Sequence, residues 1–187
     1  MNKATMRTVS VVCLLCIAAC ATATTKKFVN NPQRLESIHR IAVIPFSSKN
    51  AEMGSAVAES LSANLLKSRF TVIERTQLDK ILAEQGLSLA GVLEDQQSII
   101  GKIKGIDAII VGSATISNGF AGLLNGGYRD YISNCSARLI DVATGEILFA
   151  ATYTSSRPRN QHGFVTPTDV GELLAQELIQ IDQANHR

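Results

Sequence analysis

Much of what would announce a chemistry is missing from this 187-residue chain. Charge of one sign is not in excess. The 18 basic residues face 16 acidic ones, and no basic stripe interleaved with aromatics occurs, so nothing points to nucleic acid. Histidine is scarce, and His39, His162 and His186 stand too far apart for paired ligand spacing; no metal site is expected. Gly112-Ser113 lacks the G-x-S-x-G turn of a hydrolase. Gly126-Gly127 is not followed by a helix start that would make a phosphate loop. The expectation is therefore a protein with no catalytic residues and no cofactor. A long hydrophobic run is absent too: Val9–Ala19 spans 11 residues, well short of the roughly 20 that cross a hydrocarbon core.

What that run does have is the layout of an export signal, with Lys3 and Arg7 before it and small residues at its end. It closes on Ile17-Ala18-Ala19-Cys20, which resembles the lipobox of bacterial lipoproteins. The resemblance implies cleavage before Cys20 and a diacylglycerol on its sulfur. Ordinary cleavage at Ala19-Cys20-Ala21 or Ala21-Thr22-Ala23 is the alternative. Position 21 is Ala. In the enterobacterial sorting pattern that this resembles, an Asp there retains a lipoprotein in the inner membrane, so the implied location is the outer membrane, on its periplasmic face.

Removing residues 1–19 changes the composition. Lys3 and Arg7 leave, and the mature chain carries 16 basic and 16 acidic residues. Cys13-x-x-Cys16 lies in the discarded signal, so its spacing carries no redox or metal meaning. Acylation consumes Cys20. Cys135 is left alone, in an apolar stretch, and reads as a small buried residue rather than half of an intramolecular disulfide, with pairing between molecules as the alternative.

From Cys20 to residue 37 the composition suggests a tether, and residues 38–187 suggest one domain. Ile41-Ala42-Val43-Ile44 is an apolar run typical of a strand covered on both faces. Val57, Leu61 and Leu65 recur at helical spacing, and Phe70–Glu74 is a β-branched strand. Thr76 and Asp79 approach a capping box for a helix bearing Leu78, Ile81 and Leu82. Another helix is expected over Glu94–Lys104, then a buried strand at Ala108–Val111. Strands at Ser136–Val142 and Ile147–Thr154 flank a turn containing Gly145. The last helix is expected to start behind Thr166, with Pro167 first and Val170, Leu173, Leu174 and Leu178 inward. The order predicts an α/β fold, with a single mixed sheet of about five strands and helices packed on it.

Several segments in order resemble the CsgG family: Ile41–Phe46, Thr71–Gln85, Leu87–Gly91, Gly105–Ser113 and Leu139–Leu148. The resemblance covers nearly all of the mature chain. It implies a CsgG-like periplasmic domain beneath the outer membrane, acting in assembly or transport complexes of the cell envelope. The founding member, the curli secretion channel, forms a ring whose subunits donate β-hairpins to a shared barrel. LpoB-type activators of peptidoglycan synthases share the fold without a pore, and an adaptor of that kind is the alternative reading.

A barrel needs strands of about 9 to 11 residues that alternate lipid-facing and lumen-facing side chains. Residues 115–134, where the family's first hairpin lies, alternate poorly and contain four glycines between Gly119 and Gly127. The position of the second carries Arg157-Pro158-Arg159. The expectation is thus a lipid-anchored protein without its own transmembrane barrel. Its partners would be the membrane, through the lipid on Cys20, and an envelope protein or further copies of itself, with no nucleic acid. Phe120, Leu123, Leu124 and Tyr128 are the candidate contacts, since an apolar patch on a glycine-rich loop calls for a cover. The alternative, that these side chains tuck onto their own domain, stays open.

Overall fold

Apolar runs without alternation set the centre of the molecule. The computed structural model describes residues 23–88, 103–120, 127–155, 159–160 and 163–185. Strand β2 (Arg40–Val43) lies between β3 (Thr71–Ile73) and β4 (Ala108–Phe120), parallel to both. Helices cover both faces there, so Ile41, Ala42, Val43 and Ile44 are all buried. Beyond β4 the sheet turns antiparallel through β5 (Tyr128–Asp141), β6 (Ile147–Ser155) and β1 (Ala23–Val29), giving the order β1-β6-β5-β4-β2-β3. Gly145, at φ 75°, makes the turn between β5 and β6. The fold is the expected mixed sheet, but with six strands instead of five.

The sixth strand comes from the segment read as a tether over residues 20–37, which corrects that expectation. From Ala23 opposite Ser155 to Val29 opposite Phe149, β1 pairs with β6 along its whole length. Helix α1 (Pro32–Glu36) follows, capped by Asn31, with Leu35 fully buried. An edge strand has a neighbour on one side only, and here one of its faces is open. It therefore needs few apolar residues, and Thr-Thr-Lys-Lys does not look like a strand in sequence.

Helices α2 (Ala51–Leu65) and α4 (Pro167–Asn185) pack with α1 over one face of the sheet, around Val57, Leu61, Val170, Leu174 and Leu178. Helix α3 (Arg75–Glu84) lies on the other, where Leu78 and Leu82 meet Ala42, Ile109 and Ile140. Asn50 caps α2 by accepting from the N–H groups of Glu52 and Met53 at 3.1 and 3.3 Å. Thr166 and Asp169 form a capping box on α4, each backbone N–H donating to the other's side chain.

Two local expectations fail. Helix α3 starts after Glu74, without a side-chain cap, so Thr76 and Asp79 lie inside it, at its second and fifth positions. Leu173 is 36% exposed, not inward. The helix expected over Glu94–Lys104 falls, up to residue 102, outside the described residues.

Candidate functional site

The two longest strands outrun the sheet at one end. Pairing of β5 with β6 stops at Asn134–Thr154, and β4 meets the β2 side last at the Ser113–Ser47 bridge. A bulge between Thr115 and Ile116 then starts a two-stranded ribbon, from Ile116 opposite Ile132 to Phe120 opposite Tyr128. Side chains lace it: Ser117 Oγ donates to Ser133 Oγ and Asn118 Nδ2 to Asp130 Oδ1, both at 2.8 Å. The β4 strand expected over Ala108–Val111 is thus much longer than its apolar part.

Of the four candidate contact residues, the ribbon brings two together. Phe120 lies opposite Tyr128 in the backbone register, and Tyr128 is 71% exposed. Leu123 and Leu124 lie outside the described residues, as does Cys20. Among the described residues five register pairs extend past the bulge, against the roughly 9 to 11 residues of a spanning strand. Where a second hairpin would lie there are two-residue strands, β7 (Arg159–Asn160) and β8 (Gly163–Phe164). Among the described residues no helix is long and apolar enough to cross a membrane.

At the opposite edge of the sheet a cavity of about 400 Å³ opens between α2 and the C-terminal ends of β2 and β3, lined by Ala58, Ser62, Leu66 and Val72. Glu59, Glu74 and Arg75 stand exposed around it. Sequence reasoning did not find this cavity, because its walls come together only through the β2-α2-β3 crossover. Among the described residues that line it, no titratable side chain is buried.

The buried polar groups do structural work elsewhere. Asp141, fully buried, accepts from Arg34 Nε and from the Ala143 N–H. Burial alone would raise its carboxyl, but the Arg34 hydrogen bond, the Ala143 amide and the Arg34 charge together hold it below the ordinary carboxylate range. Cys135 is free and buried, as expected, and burial pushes its thiol up to about 12. Among the described residues no three His, Cys, Asp or Glu side chains gather around a point that would hold a metal ion.

The sheet with its extended ribbon can be set beside known proteins. A family model described as curli production assembly/transport component CsgG matches residues 33–176. The chain belongs to the CsgG family. Comparison with curated proteins gives no match. Among solved structures, lipoprotein GNA1162 from Neisseria meningitidis superposes with a TM-score of 0.50 at 18% identity, over 78% of this chain and 99% of that one. A PelC dodecamer from Paraburkholderia phytofirmans gives 0.48 at 14% identity, over 87% and 99%. The C-terminal domain of LpoB from Salmonella enterica gives 0.42 at 20%, over 63% and 83%. At 18% identity the likeness to GNA1162 is one of fold alone.

Proposed function

We propose that this CsgG-family protein is a lipoprotein held at the periplasmic face of the outer membrane by the acyl group on Cys20. There it serves, without catalysis of its own, as a component of an envelope assembly or transport complex. The family match over residues 33–176 carries the reading. The signal ending at Cys20 supports the anchor. The shortness of the ribbon supports a protein that builds no transmembrane barrel from its own hairpins. Assembly with further copies or with an envelope partner takes place through the ribbon, where Tyr128 is exposed.

Three measurements test it. Cys20→Ser should move the protein out of the membrane fraction; retention after a salt wash would refute the anchor. Light scattering in detergent should show multimers or a stable complex with a co-purified partner, and Tyr128→Ala should weaken that association without changing the melting temperature. A protein that is monomeric at every concentration and recovers no partner would refute the assembly role. Purified protein should leave planar bilayers silent, and stepwise conductance would restore the channel. Recovery of a peptidoglycan synthase in the partner experiment would replace the transport role by that of a wall-synthesis adaptor.

A further inference from the structure

Beyond the part that α3 covers around Ile109 and Ile140, no described element covers that face of the antiparallel half of the sheet. On β1, Lys27 reaches α4, its Nζ 2.7 Å from Glu177 Oε2, so Thr24, Lys26 and Phe28 point the other way. The same alternation sets Ser136 and Arg138 opposite the buried Cys135, Ala137 and Leu139, and Ser113 and Thr115 opposite Ala114. Register aligns these residues in rows: Phe28, Ala150 and Arg138; Lys26, Thr152, Ser136 and Ser113; Thr24, Thr154, Asn134 and Thr115. Two contacts confirm the shared face, Ser113 Oγ to Ser136 Oγ at 3.0 Å and Asn134 Nδ2 donating to Thr154 Oγ1 at 3.1 Å. Among the described residues six hydroxyls, one amide and two cations lie on this platform, with no carboxylate. Lys26 and Arg138 are exposed, and neither has an ion-pair partner among the described residues. Phe28 stands 62% exposed in the same plane.

We propose that this face binds an acidic glycan, a polymer of sugars that carry carboxylates. The chemistry matches group by group. A flat row of hydroxyls and an amide offers both donors and acceptors, as sugar hydroxyls do. Arg138 and Lys26, about 12 Å apart by strand spacing, attract carboxylates on different sugars and make charge-assisted hydrogen bonds with them. Phe28 gives an apolar ring on which the carbon face of a sugar can lie. Other anionic surfaces fit less well. Single-stranded nucleic acid stacks successive bases on several aromatics, and this face has one. A lipid surface calls for a broad apolar face, and this one is mostly hydroxyl.

The test titrates the acylated chain in detergent with oligogalacturonate, in which each sugar carries a carboxylate, and with neutral dextran. Binding of oligogalacturonate that weakens with salt, and none of dextran, is expected. The double variant Lys26→Ala, Arg138→Ala should lose about tenfold or more in affinity. Thr154→Asp, which places a carboxylate on an exposed position of the face, should also weaken binding and guards against a folding artefact in the double variant. No binding of oligogalacturonate, equal binding of dextran, or unchanged affinity in these variants would overturn the proposal. So would tighter binding of single-stranded DNA, or of phosphatidylglycerol vesicles by the Cys20→Ser chain, that depends on the same residues. Cys20→Ser protein should bind the glycan as the acylated chain does, so failure of the anchor and failure of this face are read separately.

Discussion

Arg69 grips Asp182 with a two-pronged contact, its Nε donating to both carboxylate oxygens at 2.8 and 2.9 Å and its Nη2 to Oδ1 at 2.6 Å. The same guanidinium donates to the backbone carbonyls of Ile38 and Leu35 and stacks 4.7 Å above the Phe70 ring. From its place before β3, one side chain thus ties the end of α4 to the segment that leads from α1 into β2. Arg69→Ala would leave Asp182, nearly buried, without its cation. The expected loss is about 3 kcal/mol, measured by urea unfolding. Arg69→Lys should fall between, because it keeps the charge and loses the fork.

Gly171 marks where α4 crosses α2. A Cβ there would sit 2.6 Å from the Val57 carbonyl oxygen and 2.8 Å from the Leu61 nitrogen, both backbone atoms that cannot swing away. Gly171→Ala should therefore force the helices apart and cost about 1–3 kcal/mol in spite of alanine's better helix propensity. A melting temperature equal to or above that of the parent would contradict the close crossing.

Acid should loosen the junction of α1 with the end of β5. The Asp141 carboxyl is held below its ordinary value of 3.8 in the folded protein, so its contribution is fully present above that value and is lost as pH falls through the lower, folded one. Stability should drop on acidification below about pH 4, the region of unperturbed carboxyls. Asp141→Asn should flatten that part of the profile. An unchanged acid limb in the variant would show that other carboxylates control it.

Cys135 should be inert in the native protein. Its thiol, buried and pushed up to about 12, has almost no thiolate at neutral pH. Mass spectrometry after maleimide treatment at pH 7 should show no label on Cys135, and full labelling once denaturant is added. Rapid native labelling would mean that the strand pair carrying Cys135 opens readily.

The centre of the fold was legible because burial on two sides leaves a plain mark. Ile41–Ile44, apolar at every position and stopped by Pro45, reads as a short strand buried on both faces, and Thr166-Pro167 writes the start of α4 directly. Elements with few buried neighbours left weaker marks. Strand β1 is hydrogen-bonded on one side only, so its threonines and lysines look like linker. The far part of β4 runs beyond the sheet, where Ser117, Asn118 and Gly119 gain nothing from being apolar. Glu74 could not be told from Thr76 as the start of α3, since no side chain caps that helix. Tyr128 was visible as an unexplained aromatic. The hydroxyl platform was not: each strand shows only an ordinary polar alternation, and the rows exist once register sets four strands side by side.

Strand β1 begins at Ala23, three positions after Cys20. Fully extended, that much chain reaches about 10 Å, so an acyl group on Cys20 would hold the domain flush against the bilayer rather than let it drift on a long leash. Any partner would then have to come to the membrane surface to meet it. Neighbouring copies, confined to one plane with the same edge of the sheet held down, would encounter one another already sharing an orientation.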